Sequence, residues 1–304
     1  MENKFNSLLK FVGAFSSEQA CIDHLTKMRW NGNIGCPHCG STNFYAFKDK
    51  KTYKCKDCKL KFNVKTKSVF EGSNIPLNKW FMAIYLCVNL KRGIASAQLA
   101  REIDVTQKTA WFILQRLRLI FENQETKIFN DTIEVDETYI GGKYKNKHWN
   151  KRNAGGQGRS NEKIAVFGML QRNGDVNTFP IADASSNSIN NAINHFIQPG
   201  SRIISDEWRG YNKVKENYNH NRVYHAYGKY VIGDSHTNTI EGYWSILKRT
   251  LSGTYNNVSR KHILKYCKEI DFRYNTRHKN TEEKINLTLH NCNGRLKYKD
   301  LIVE

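Results

Sequence analysis

The segment TIEVDETYIGGK, residues 132–143, decides the fold. Ile133, Val135 and Ile140 are β-branched strand formers and Gly141 with Gly142 punctuates the end, so the segment reads as a β-strand. Glu134, Asp136 and Glu137 stand inside this hydrophobic run. Carboxylates in such a place need partners, a metal ion or water, because an unpaired charge is costly to remove from solvent. Alternation puts Glu134 and Asp136 on the same face of the strand, opposite Val135.

Downstream, strands alternate with helices. KIAVFGMLQRNGDVNTFPIAD (163–183) reads as a hairpin whose turn runs from Arg172 to Asp175 with Asn-Gly at its centre. SSNSINNAINHFI (185–197) reads as a helix, SRIISDEWRGY (201–211) as a strand ending at Asp206, and RVYHAY (222–227) as another strand. In HTNTIEGYWSILKRTL (236–251), Ile240, Trp244, Leu247 and Leu251 recur at helical spacing. Glu241 lies away from that stripe, with Ser245, Lys248 and Arg249 on roughly its side. The order fits an α/β fold in which two strands and a late helix each bring one acid, Asp136, Asp206 and Glu241, to one cleft. Three converging carboxylates repel, but hard oxygen ligands suit Mg²⁺ or Mn²⁺, and two such ions roughly 4 Å apart can share them. Lys248 or Arg249 would then neutralise a nearby phosphate. Glu137 and Glu207 flank the expected ligands and read as hydrogen-bonding surface groups.

Upstream, Cys36, Cys39, Cys55 and Cys58 form two C-x2-C pairs fifteen residues apart. Two such turns close a tetrahedron of thiolates around one structural Zn²⁺, and Phe44, Tyr45, Phe47 and Tyr53 between them suggest a hairpin ribbon too small to fold without its ion. The other cysteines, Cys21, Cys87, Cys267 and Cys292, are scattered, which argues against a secreted disulfide framework. Residues 36–67 carry nine lysines against Asp49 and Asp57, consistent with phosphate contact or with a solvated face.

Before the ribbon, Ser16 and Gln19 are spaced as a capping box. After it, a helix is expected from Pro76, with Trp80, Phe81, Ile84, Tyr85 and Val88 at helical spacing. SAQLAREIDVTQKTAWFILQRLRLIF (96–121) follows with Ser96 and Thr106 as N-caps and a turn at Ile103, Asp104 and Val105. This is a helix-turn-helix pattern. Ala110, Ile113, Leu114, Leu117 and Ile120 face inward, leaving Gln107, Lys108, Gln115 and Arg116 to read a major groove, although plain helical hairpins share this periodicity. Between Gly141 and Lys163 lies a Gly- and Asn-rich stretch with seven Lys/Arg, among them Lys145, Lys147, Lys151 and Arg152. It reads as a DNA clamp or as a solvated insertion. Trp149, Tyr243 and Trp244 would stack on an unpaired base, or in the case of Trp244 join the core.

The chain has 304 residues, with 48 Lys+Arg against 28 Asp+Glu and a formal net charge of +20. Such a field attracts polyanions, nucleic acid before membrane. No stretch approaches the roughly 20 apolar residues of a membrane span, nothing resembles a cleavable leader, and a cytoplasmic, nucleoid-associated protein is expected.

IEVDETYIGGK, ISDEWRGY and HTNTIEGYWSILKR, preceded by the C-x2-C ribbon and QLAREIDVTQKTAWFILQRLR, resemble the bacterial insertion-sequence DDE transposases with an N-terminal zinc ribbon, the ISXO2-like family. The similarity runs from about residue 15 to about residue 280 and keeps the family's motif order. It implies a ribonuclease H-like catalytic domain, metal-dependent DNA cleavage and strand transfer, and terminal inverted repeats and target DNA as partners, with a homodimer or higher assembly on paired ends. Asp136 and Asp206 match the family's first two acids. The third position varies between Glu, Asn and His, and Glu241 fills it here. Asn238 either assists or caps the helix, and His236 is a ligand, a phosphate contact or a solvated group. The expected division is a helical lead-in (1–30), zinc ribbon (31–70), helix-turn-helix region (74–125), catalytic domain (130–280) and tail (281–304). Two rival readings are a DNA-binding regulator without activity, which leaves the three acids unexplained, and a nuclease that cuts without joining.

Overall fold

The computed structural model describes residues 5–49, 51–124, 127–141, 163–224, 234–256 and 258–302. Lys145, Lys147, Trp149, Lys151 and Arg152 lie outside them. The chain forms two compact units, one of residues 1–124 with 276–304, the other of residues 125–275. Among the described residues, no helix is long and apolar enough to cross a membrane.

The first unit opens with α1 (Leu8–Ala14) and α2 (Glu18–Trp30), followed by β1 (Phe44–Ala46), β2 (Thr52–Cys55) and β3 (Lys61–Asn63) in one antiparallel sheet. The ribbon thus has a third strand beyond the expected hairpin. Helices α3 (Leu77–Asn89), α4 (Ser96–Glu102) and α5 (Gln107–Glu122) come next, and α9 (Thr281–His290) and α10 (Tyr298–Ile302) return to this unit from the far end of the chain. Thr106 caps α5 through a bond from Thr109 N at 3.2 Å, as expected. Two other caps shift by one residue: Ser17, not Ser16, caps α2, and Ser96 is the first residue of α4 rather than its cap. Gln19 bonds to Asp23 instead of closing a capping box.

The outward placement of Gln115 and Arg116 is overturned. Gln107 and Lys108 are exposed, but Gln115 is fully buried and Arg116 nearly so. Arg116 donates from Nε to Leu296 O at 3.2 Å and from Nη1 to Val69 O at 2.9 Å. Chain distant in sequence covers the side of α5 that periodicity alone assigns to solvent, and the guanidinium satisfies carbonyls there rather than reading DNA.

The second unit is built on β4 (Thr132–Ile140), β5 (Ile164–Gln171), β6 (Val176–Ile181), β7 (Arg202–Ser205) and β8 (Asn219–Arg222), in the spatial order β6-β5-β4-β7-β8. The β4–β5–β6 pairs are antiparallel, while β7 and β8 add in parallel. That is the ribonuclease H-like arrangement the element order implies. Strand β8 starts earlier than RVYHAY, because its parallel register on β7 pairs Arg202 with Asn219. Helix α6 (Ser186–Phe196) covers one face of the sheet, where Ile189 and Ile193 pack with Ile133, Val135, Phe167, Met169 and Ile203. Helices α7 (Asn238–Thr250) and α8 (Ile263–Asn275) cover the other, where Ile240, Trp244, Leu247, Cys267 and Ile270 meet Val166 and Leu170. With both faces buried, β5 carries the near-continuous apolar run that such a central strand requires.

Candidate active site

The parallel register of β4 on β7 pairs Glu134 with Ile204, so Asp136 and Asp206, each two residues further on, reach the same level on adjacent strands. Glu241 stands in the first turn of α7 on the sheet face that Asp136 shares. Asp136, Glu137, Thr138, Asp206, Thr237, Glu241, Trp244, Ser245 and Lys248 line one cleft of about 330 Å³. Asp136, Asp206 and Glu241 share the lining of this cleft with Lys248, although their carboxylate oxygens do not all lie within 4.8 Å of one another.

Each acid is held by its neighbours. Asp136 accepts from Trp244 Nε1 through Oδ2 and from Glu137 N through Oδ1, both at 2.8 Å. Asp206 accepts from Trp208 N at 3.0 Å, and Glu241 from Thr237 Oγ1 at 2.9 Å. Burial, then the nearby charges of Glu137 and Asp206, push the Asp136 carboxyl up to about 7. The site is a crowded set of acids whose ionisation a bound cation would favour.

The supporting residues divide. Asn238 is exposed at the first position of α7, so the capping reading fails for it. Arg249 is exposed, donates from Nε to Ser245 O at 2.9 Å and is not among the cleft-lining residues. Glu137, expected at the surface, lines the cleft and accepts from the buried Tyr211 hydroxyl at 2.8 Å. Trp244 is both core and site, buried among α7 contacts while its indole N–H reaches Asp136.

In the first unit, Cys36, Cys39, Cys55 and Cys58 bring their sulfurs within 4.8 Å of one another, the one such cluster of ligand atoms among the described residues. The Sγ–Sγ distances are 3.6 Å for Cys36–Cys58 and for Cys39–Cys55. Tetrahedral zinc with Zn–S bonds of about 2.3 Å asks for sulfurs roughly 3.8 Å apart, so the donor set fits that ion. The four sulfurs share protons unevenly: the backbone N–H of Cys58 brings the Cys55 thiol down to about 7, whereas at Cys58 the Leu60 N–H is outweighed by burial and the other three sulfurs, which push that thiol up to about 12.

Two family models match the chain. Residues 128–275 match the ISXO2-like transposase domain, and residues 16–61 match the transposase zinc-ribbon domain. Residues 128–275 thus carry an ISXO2-like transposase domain, preceded by a transposase zinc ribbon. A protein from Halobacterium salinarum, described as an uncharacterized protein in transposable element ISH50, is 29% identical over 275 residues, covering 86% of this chain and 92% of its own length. Among solved structures, the Mos1 strand transfer complex is 12% identical with a TM-score of 0.22, covering 72% of this chain and 78% of that one, a likeness too slight to align residues by.

One residue of the transposase domain that sequence reading passed over is Gly168. It lies directly across from Asp136 on β5, and a Cβ there would stand 2.4 Å from Trp244 Cη2 and 3.3 Å from Ile240 Cδ1. The glycine is the slot in which the indole lies. Gly168→Ala should cost about 1–3 kcal/mol in overpacking and pull the indole N–H away from Asp136. Thermal unfolding measures the first effect, and loss of cleavage beyond what the unfolded fraction accounts for measures the second; wild-type values for both would refute the slot.

Proposed function

We propose that this transposase cuts and joins DNA at the terminal inverted repeats of its element, with Asp136, Asp206 and Glu241 holding two Mg²⁺ or Mn²⁺ ions. The observation that carries the reading is the cleft that acids from β4, β7 and α7 line together with Lys248. Bound there, the ions would activate a hydroxyl nucleophile and stabilise the leaving oxygen in an in-line displacement at phosphorus. The protein's own part is to hold the acids. Asp136 is oriented by Trp244 and Glu241 by Thr237, while Lys248 offers a cation to the phosphate.

The first unit would grip the DNA. On the outer face of the ribbon sheet, Tyr45, Lys54 and Lys61 form one cross-strand row, and Lys56 Nζ sits 4.5 Å from the centre of the exposed Tyr45 ring. Lysines beside an exposed ring suit a phosphate backbone or an unstacked base. In the helical hairpin of α4 and α5, Gln107 and Lys108 remain as residues that would reach a groove, being exposed at the start of α5.

The deciding experiment incubates the purified, zinc-loaded protein with Mg²⁺ and labelled DNA carrying the flanks of its own gene. Nicked ends and joined products are expected together. Cleavage without joining would reduce the protein to a nuclease, and binding without either product would leave a DNA-binding regulator.

A further inference from the structure

The residue placed to cap α7 does something else. Thr237 occupies the N-cap position but makes no side-chain capping bond, and its hydroxyl donates to Glu241 Oε1. The N–H groups of Thr239 and Ile240, the second and third residues of the helix, are those an N-cap side chain normally satisfies. Both donate instead to Oε2 of Glu134, on β4, at 3.0 Å. The other oxygen, Oε1, accepts from Thr239 Oγ1 and from Arg172 Nε, each at 3.0 Å, and His236 Nδ1 stands 3.4 Å from it. Arg172 also donates from Nη2 to His236 O at 3.2 Å, tying the approach to the helix into the same cluster. Glu134 is fully buried.

A carboxylate at a helix N-terminus meets the positive end of the helix dipole as well as free N–H donors. Stability alone is a weak reason for such an arrangement, since apolar groups of similar volume often replace buried ion pairs without loss. Direction is the better reason. Apolar contacts such as those of Ile240 and Leu247 tolerate small slides of a helix over a sheet, whereas two N–H bonds to one carboxylate fix its first turn in place. Glu134 lies two residues before Asp136 on the same face of the same strand. The strand that carries the first acid therefore also holds the turn that carries the third.

We propose that Glu134 is a positioning residue that locks the first turn of α7 to β4, setting Glu241 against Asp136 so that the two bind a divalent cation as one site. The inference rests on the reading of the cleft as a cation site. It assigns Glu134 no contact with cation or DNA.

The test is Mn²⁺ binding to the zinc-loaded, full-length protein, followed by the electron paramagnetic resonance signal of free Mn²⁺ below the melting transition of every variant. Glu134→Ala should weaken binding about tenfold, and Glu134→Gln, which keeps an acceptor for the two N–H groups, roughly threefold. In a Glu241→Gln background either change should add less than about twofold, because a residue that acts through Glu241 has nothing left to position. If Glu134→Ala does not fold, the cycle runs with Glu134→Gln alone. Wild-type affinity in the Glu134 variants, or losses that add fully to that of Glu241→Gln, would overturn the proposal. Asp136→Asn separates the two failures. Mn²⁺ binding that survives this change removes the cation site itself, whereas binding lost here but unaffected by Glu134 removes only the positioning role.

Discussion

Asp206→Asn is expected to lower strand cleavage by at least about a thousandfold while leaving DNA affinity within about twofold. The amide keeps a carbonyl oxygen for the bond from Trp208 N, so the end of β7 retains its shape, and only the charge at the cleft is lost. Asp136→Asn should be equally inactive, with a second signature in stability. In the metal-free protein the Asp136 carboxyl sits near 7, above its ordinary 3.8, so the folded state binds this proton more tightly than the unfolded chain does. Its contribution to stability is therefore complete below about 3.8 and is lost as pH rises towards 7. Asparagine carries no charge to repel Glu137 and Asp206, so over that window the Asp136→Asn variant should lose less stability than the wild type. Melting curves of the zinc-loaded protein taken without added Mg²⁺ or Mn²⁺ across the range, compared between variant and wild type, test the stability effect, and a cleavage assay tests the other. An active Asp206→Asn protein would dismantle the proposed centre.

Zinc removal should have the next largest effect, on binding rather than chemistry. The ribbon's core consists of Cys36, Cys55 and Phe62 with a few half-buried neighbours such as Phe44 and Tyr53, and its strands are 3, 4 and 3 residues long. So little apolar surface does not offset the entropy of ordering this segment without metal. Cys55→Ser, or chelation verified by zinc analysis, should unfold the ribbon and weaken DNA binding at least about tenfold through the lost lysine contacts. The readouts are proteolysis between residues 36 and 58 and titration with labelled DNA. Unchanged affinity in zinc-free protein would remove the ribbon from the DNA interface.

Much of this was legible because short-range chemistry and long-range geometry agree. The four cysteines carry their own spacing rule, and the order of strands and helices was enough to place Asp136 and Asp206 at one level on adjacent strands. The two larger misreadings share one cause, contacts made by chain far away in sequence. Helical periodicity shows which side of α5 is apolar, but not that the carbonyls of Val69 and Leu296 wait for Arg116 on another side. Alternation placed Glu134 beside Asp136, yet nothing near it in sequence points to the helix start about a hundred residues later that it caps. Ser17 prevailed over Ser16 because the adjacent hydroxyl was the one to meet the first turn of α2. Gly168 gave no signal at all, since a glycine inside a strand does not say which side chain lies over it.

The first unit is made of two stretches of chain separated by the whole of the second. Ile285, Leu289, Cys292, Leu296 and Leu301 from the later stretch are all buried. On the ribosome, the transposase domain emerges complete while the unit begun before it still lacks part of its interior. A premature stop codon after residue 275 would therefore spare every acid of the cleft and still leave the zinc-bearing unit unfinished.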